Sequence, residues 1–408
     1  MRYEEYKDSG VAWIGEIPSH WEVAAFKRRI YINNGRDYKE FQDDEIYPVM
    51  GSGGCFAYCS RYMYDGEALL LGRKGTIDKP LYINGKFWTV DTMFYAIPNK
   101  DLDCKFAYYL AITFPFNLYS TSTALPSMTQ TDLGNNPVAF PPLVEQQAIA
   151  SYLDKKCGKI NGAINVQKKK IDLLNELKQT IITNAVTKGL NPNAPMKDSG
   201  VEWIGEVPTH WEVMKTSLAF LGIGSGTTPS TSRKEYYTEE DGLYWLQTGD
   251  LNDGEITDTS KKITSLAADE CNLKFYPTDS VVIAMYGATI GKVGLLKIST
   301  STNQACCVLP KSKRCIPAFA FYLFIGAKKQ LLIDAMGGGQ SNISQDIIKK
   351  LKVSIPPISE QRIIVDHIAD EVSKIDAQIS KANRRIELLN ELKQSVITEA
   401  VTGKIKVC

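Results

Sequence analysis

Two glycine-rich stretches and three histidines are the places where residue type and spacing invite a catalytic reading. FLGIG at residues 220–224 has the F-x-G-x-G pattern of a cofactor loop in adenine methyltransferases, where glycines let the backbone approach the ligand. Such a loop belongs in a strand-to-helix turn, yet GSGTTPS at 224–230 follows instead of an amphipathic helix. The chain also lacks the Asn/Asp-Pro-Pro-Tyr/Phe element that those enzymes place around a flipped adenine. GATIGK at 287–292 has three residues between its glycines where a phosphate-binding loop has four, and Val293 stands where a magnesium-binding Ser or Thr is needed. His20, His210 and His367 have no nucleophile or metal-ligand companion nearby and read as structural. The nine cysteines form no C-x-x-C pair, and Cys55 and Cys59, the nearest approach to one, have no neighbouring His. Buried free thiols are expected rather than disulfides or zinc. Together these residues argue against catalysis and against a metal in this chain.

The elements that would position any site are set by two internal repeats. KDSGVAWIGEIPSHWEV at 7–23 returns as KDSGVEWIGEVPTHWEV at 197–213, identical at 14 of 17 positions. Residues 141–187 align without a gap to 356–402, identical at 21 of 47 positions and sharing LLNELKQ. The first repeat has an offset of 190 and the second of 215, so the segment between them is 25 residues longer in the second half. Each half is a constant start, a variable middle and a constant end. The middles, roughly 24–140 and 214–355, keep only traces of likeness such as GRKGTI (72–77) against YGATIG (286–291). Duplication for stability alone would not predict which part diverges, so the divergent middles suggest two readouts on one scaffold.

The constant ends read as long helices. No proline interrupts 145–187, and apolar residues recur at steps of three and four, the seam of a coiled coil. One register is Leu153, Ile160, Gln167, Leu174 and Ile181, matched by Ile368, Ile375, Ala382, Leu389 and Val396. The other is Cys157, Ile164, Ile171, Lys178 and Ala185, matched by Val372, Ile379, Ile386, Lys393 and Ala400. Lys178 and Lys393 occupy the same seam register, where a charge either fixes alignment or snorkels to the surface; snorkelling is the expectation. Leu173, Leu177, Leu388 and Leu392 widen the seam beyond what two strands need, which predicts a further partner on the helices. Proline pairs precede each helix, Gly189 and Pro192 stop the first, and Gly403 stops the second. A helix of about 43 residues would be about 65 Å long, a spacer. The first helix leads within about ten residues into the second KDSG segment. Near-twofold symmetry then places the end of the second helix beside the first KDSG segment, with the helices antiparallel.

Composition narrows the class. Apolar residues at 44% and charged residues at 23% fit a folded chain, not a disordered one. No run approaches a membrane span and the start carries no apolar signal core, so a cytoplasmic protein without membrane association is expected. The net charge of +1 is low for a protein that grips phosphates alone. Residues 24–140 hold twelve basic and twelve acidic side chains, and 214–355 sixteen against thirteen.

Over its whole length this layout resembles the specificity subunits of type I restriction-modification enzymes. The carrying residues are the two KDSG-W-IG-E-P-HW segments, the helix entries Pro141, Pro142, Glu145, Gln146 and Pro356, Pro357, Glu360, Gln361, the two LLNELKQ runs, and GSGTTPS at 224–230. The resemblance implies a non-catalytic subunit with no cofactor of its own. Each variable domain would read one half of a split, asymmetric double-stranded DNA site, and the helices would set the unread gap. Two methyltransferase subunits, with S-adenosylmethionine, and restriction/translocase subunits would supply the chemistry. Partners that clamp the duplex would also explain the weak charge.

Base readout needs donors and acceptors on loops or helix ends. In the first domain the candidates are Arg73, Lys74, Thr76 and Lys79, with Ser127, Thr129 and Gln130 near its end. In the second they are Gln247, Asn252, Tyr286, Thr289 and Lys292, with Gln340, Ser341 and Asn342 after Gly337 to Gly339. Counted from the shared proline pairs, Ser127 and Thr129 align with Asn342 and Ser344. The fold expected is mixed α/β with a pseudo-twofold internal repeat: two target-recognition domains separated by two long antiparallel coiled-coil helices. The domains are 1–143 and 196–358, and the helices with their linker 144–195 and 359–408. Two rivals make different predictions. A self-contained adenine methyltransferase would bind its cofactor alone, and a scaffold joining two protein-binding domains would leave no sequence-selective footprint.

Overall fold

A computed structural model of the chain describes residues 2–42, 45–119, 126–336 and 342–407. The chain divides into two compact units, residues 1–168 with 382–408, and residues 169–381. Helix α1 spans Leu143–Lys188 and helix α2 spans Ile358–Val401, so each unit takes the start of one helix and the end of the other.

In the first unit the variable segment forms a six-stranded sheet in the order Ile30–Asn34, Met93–Pro98, Tyr64–Gly72, Leu81–Thr89, Tyr47–Gly51 and Gly54–Cys59. All its pairings are antiparallel except that of Tyr47–Gly51 with Leu81–Thr89. The strand Tyr64–Gly72 is apolar on both faces over its second half: Ala68, Leu69, Leu70 and Leu71 are all fully buried, because a helix covers one side and folded-over strands the other. The second unit holds a five-stranded sheet, a four-stranded sheet and the helices Pro317–Gly326 and Lys328–Met336. Its smaller sheet has a core of its own around Tyr236, Trp245 and Ile263.

The repeated segments build the same frame in each unit. Glu22–Ala25 pairs antiparallel with Pro137–Phe140, and Glu212–Lys215 pairs in the same register with Lys352–Ile355. Trp21 and Trp211 are fully buried, and each indole N–H donates to the carboxylate in the first turn of a long helix: Trp21 to Glu145 Oε1 at 3.3 Å and Trp211 to Glu360 Oε2 at 3.1 Å. His20 and His210 close on the same carboxylates at 2.9 and 2.8 Å, so both histidines are structural. Tyr3 adds a third hydrogen bond to Glu145. The next residues, Gln146 and Gln361, are buried with every polar atom used: their amides donate to the carbonyls of Pro141 and Asp101, and of Pro356 and Arg314. Their oxygens accept from the backbone N–H of Asp103 and Ile316. A carboxylate here also sits favourably at the helix N-terminus.

Helix ends complete each domain core. In the first unit Ile149, Leu153 and Cys157 of α1 and Ile397, Ala400 and Val401 of α2 join Trp21, Phe26 and Phe106. In the second, Ile182, Ala185 and Val186 of α1 and Ile364 and Ile368 of α2 join Trp211, Phe319 and Phe324. Within either unit one helix rises as the other falls, so they pack antiparallel. Gly189 and Gly403 follow the helix ends with φ of +72° each, and a Cβ would press on Trp211 in one case and on Pro18 and Trp21 in the other. The end of α2 also meets the first KDSG segment as expected: Tyr6 donates to the carbonyl of Gly403, and Lys404 to that of Glu16.

The seam lysines gain partners, and one seam expectation needs correction. The seam lysines end at the surface: the Lys178 ammonium bonds both oxygens of the exposed Asp376 at 2.9 Å, and Lys393, at the equivalent place, reaches Oδ1 of the exposed Asn161 at 3.0 Å. Asn161 and Asp376 are themselves equivalent positions of the repeat, which the one-dimensional seam could not reveal. Beyond these lysines Ile182 and Ile397 are buried, in place of Ile181 and Val396, because a straight helix at 3.6 residues per turn drifts off a seven-residue repeat. Of the cysteines, Cys55 is exposed, while burial pushes the Cys104 and Cys307 thiols up to about 12 and raises Cys306 and Cys315 as well.

Glu145→Ala and Glu360→Ala each strand a buried indole N–H, and should each cost roughly 2–3 kcal/mol in denaturant unfolding. Glutamine, which keeps an acceptor, should recover most of the loss; equal loss from both substitutions would mean the hydrogen bond is not what matters.

Candidate nucleic-acid interface

In the first domain the strand Tyr64–Gly72 runs directly into the turn of candidates. The N–H groups of Arg73 and Lys74 donate to the Thr92 carbonyl at 2.9 and 3.2 Å, and Gly75 N–H to that of Pro126 at 2.9 Å. Met128 N–H returns to the Arg73 carbonyl at 3.0 Å, and Lys74 bridges to Ser127, so the turn and the segment before the short helix Gln130–Asn135 form one patch. Ile77 is buried as the anchor of the turn, leaving Lys74, Thr76 and Lys79 exposed around it.

Not every candidate keeps its polar atoms for a ligand. Arg73 is half-buried; its Nη1 donates to the Asp91 carbonyl at 3.3 Å and its guanidinium lies 5.9 Å from the centre of the Phe94 ring. Thr129 caps the helix Gln130–Asn135, accepting from Asp132 N–H at 3.0 Å. The Gln130 amide donates to the Ile32 carbonyl, tying that helix to the first strand of the sheet. These three read as positioning groups, and their type alone could not distinguish that from readout.

The second domain brings three separate stretches together. Thr289 Oγ1 donates to the Thr248 carbonyl at 2.7 Å, joining the 286–292 turn to the 247–253 loop. Asp253 fastens the same junction: its Oδ1 accepts Val293 N–H at 2.8 Å, while Lys328 lies 3.4 Å from Oδ2. Gln247 N–H and Ser260 N–H both end on Asp250, at 2.8 and 3.1 Å. Ile343 N–H reaches the Met285 carbonyl at 2.8 Å, bringing Asn342 beside Tyr286. Asn252 and Asn342 are exposed; Gln247, Tyr286, Thr289 and Lys292 are half-buried. Gln340 and Ser341, like Gly337 to Gly339, lie outside the described residues.

Neither glycine-rich stretch has the setting its imitation requires. Residues 287–291 turn between the antiparallel strands Val281–Ala284 and Val293–Leu296, with no helix following. FLGIG connects the short helix Thr216–Ala219 to the strand Gly224–Ser225, the reverse of a strand-to-helix order. Among the described residues no group of three or more His, Cys, Asp or Glu side chains could hold a metal, and no helix is long and apolar enough to cross a membrane.

On the helices, Leu173, Leu177, Leu388 and Leu392 are 65%, 48%, 48% and 50% exposed, whereas their neighbour Leu174 is 8% exposed. The same two leucines stand open in both copies of LLNELKQ, and nothing among the described residues covers them.

The family model of the type I restriction modification DNA specificity domain matches residues 18–181 and again 208–390. The chain belongs to this family. Its two matches fall on the two repeats, so it carries two DNA specificity domains. The type I restriction enzyme MjaVIII specificity subunit of Methanocaldococcus jannaschii is 26% identical over 428 residues, covering 96% of this chain and 94% of that subunit. A relative from the same organism, named as the MjaX specificity subunit, is 27% identical over 284 residues; that match covers 69% of this chain but only 62% of the relative. A solved structure described as the structural basis of complex assembly and conformational transition of the type I R-M system covers 95% of this chain and 99% of its own, with a TM-score of 0.70 and 16% identity. At that identity the likeness establishes the fold: a mixed α/β specificity chain with two repeated domains and long helices.

The Asp253 junction can be tested by itself. Asp253 has φ of +61°, so Asp253→Ala loses the acceptor for a buried N–H and places a methyl-bearing residue in the left-handed region. The expected cost is roughly 2–4 kcal/mol by denaturant titration. Asp253→Asn, which keeps the acceptor and tolerates the conformation, should lose less than about 1 kcal/mol.

Proposed function

We propose that this specificity chain reads a bipartite, asymmetric double-stranded DNA site, one half with each domain, and that α1 and α2 set the unread gap. The observation that carries this reading is the contrast within the repeat. The frame (tryptophan, histidine, helix carboxylate, buried glutamine) is kept in both halves down to hydrogen-bond partners, while the loops mounted on it differ. A constant frame with two unlike reading surfaces is what a split asymmetric site requires.

The chain directs chemistry done by others. Two methyltransferase subunits dock on it, with the exposed Leu173, Leu177, Leu388 and Leu392 as contacts, and restriction/translocase subunits complete a cytoplasmic complex. The methyl donor S-adenosylmethionine belongs to the methyltransferase partner; this chain is non-catalytic and holds no cofactor. Of the candidates, Lys74, Thr76, Lys79, Ser127, Asn252, Tyr286, Lys292 and Asn342 contact DNA, with Gln247 beside them. Arg73, Thr129, Gln130 and Thr289 hold the loops in place. The small basic excess fits a duplex clamped largely by the partners.

The gap can be lengthened by design. An insertion in the linker after α1 would disturb Gly189 against Trp211, so the place to insert is mid-helix. Seven extra residues in the middle of both α1 and α2 preserve the seam and add about 10 Å, close to three base-pair steps. Mapping N6-methyladenine in cells that co-express the methyltransferase partner should give the same two half-sites with the gap longer by about three. Changed half-sites, or an unchanged gap, would contradict the reading.

A further inference from the structure

Beside the candidate loops lies a further surface, to which Gln130 is the one candidate that contributes. In the first domain a groove of about 400 Å³ runs between the strand Ile30–Asn34 and the helix Gln130–Asn135. It is lined by Lys27, Tyr31, Asn33, Thr131 and Asn135. The Gln130 hydrogen bond to the Ile32 carbonyl holds the two walls together. Tyr31 is 66% exposed although it sits on a sheet strand between two buried isoleucines, Ile30 and Ile32. Asn33 donates to the Tyr31 carbonyl at 3.3 Å, which leaves its side-chain oxygen as an acceptor.

The frame gives each of these residues a counterpart. Phe26 N–H meets the Asn136 carbonyl and Thr216 N–H the Leu351 carbonyl, so the start of one variable segment and the end of the same segment meet alike in both units. By that correspondence Lys27, Tyr31, Asn33, Thr131 and Asn135 answer to Ser217, Leu221, Ile223, Asp346 and Lys350. Leu221, the counterpart of Tyr31, is 79% exposed. Two large side chains, Tyr31 on a strand and Leu221 in the turn after a short helix, are therefore held out into solvent at matched positions of the repeat, and all five matched pairs differ in kind.

Resting on the proposed reading, we propose that this strand-and-helix groove of the first domain, and the turn and helix at the same repeat positions of the second, are a further DNA-reading element, with Tyr31 and Asn135 reading the first half-site and Leu221 and Lys350 the second. The chemistry of the lining carries the assignment. The first groove presents amides, a hydroxyl, a ring and one ammonium, and no carboxylate among the described residues lines it, which suits acceptor-rich base edges. Asparagine pairs with adenine through N6 and N7; lysine favours guanine O6 and N7; exposed leucine can meet only an apolar feature such as a thymine methyl. The internal comparison argues against a protein ligand here. A partner bound in two equivalent copies needs equivalent side chains, as at Leu173 and Leu388 or Leu177 and Leu392. This surface is varied instead, as a split site with unlike halves requires.

The test uses the complex of the full chain with its methyltransferase partner and reads genome-wide N6-methyladenine. The unaltered complex must first give a split motif with a fixed gap; the absence of any split motif defeats the bipartite reading itself. Given that motif, Asn135→Ala and Tyr31→Ala should each relax one position of one half-site, with discrimination falling about five- to a hundredfold, and leave the other half and the gap unchanged. Lys350→Ala and Leu221→Ala should relax the opposite half. These side chains are exposed, so the complexes should assemble normally. An unchanged motif overturns the proposal while sparing the bipartite reading, and loss of partner binding by the variants overturns it in favour of a protein contact.

Discussion

A buried indole N–H needs an acceptor, and in both halves of this chain the acceptor is a carboxylate at the third residue of a long helix. The architecture depends on that contact. It docks the KDSG-to-tryptophan segment onto the helix entry, and the adjoining glutamine ties the same turn to the domain's own loops. The end of the other helix then packs over the tryptophan through Gly403 or Gly189. Each domain is thereby held by two helix ends, and neither core is complete without them. Variable loops mounted on such a base can change without altering how the helices leave the domain.

The helices are braced as well as docked. Lys178 with Asp376, and Lys393 with Asn161, place a polar contact at equivalent points of a mostly apolar seam, one charged and one neutral. A seam lysine costs burial and tolerates few alternative alignments, since a shifted register would set its ammonium against isoleucine without an acceptor.

The frame was legible in the sequence because it is repeated. Helix ends, capping signals and exposed leucines follow from local residue types, and the structure places them within a residue or two. The acceptor for Trp21 was not legible: Glu145 lies more than a hundred residues away, and only its place in the repeat marked it. The loops were partly legible. Polar, glycine-flanked stretches do cluster in each domain, but residue type could not show that Thr129 and Gln130 are used internally, or that Arg73 faces Asp91 and Phe94. The groove of Tyr31 and Asn135 was not legible for the same reason. It joins a strand to a helix a hundred residues on, and nothing local in either one signals the other.

The central claim is that one repeated frame carries two interchangeable readers. The most direct measurement replaces the first variable segment, residues 24–140, with a second copy of residues 214–355, and maps N6-methyladenine made by the resulting complex. The account predicts a symmetric motif, the second half-site repeated in inverted orientation across the original gap. Methylation that kept the original asymmetric motif, or that followed no split motif from a stably assembled complex, would contradict it.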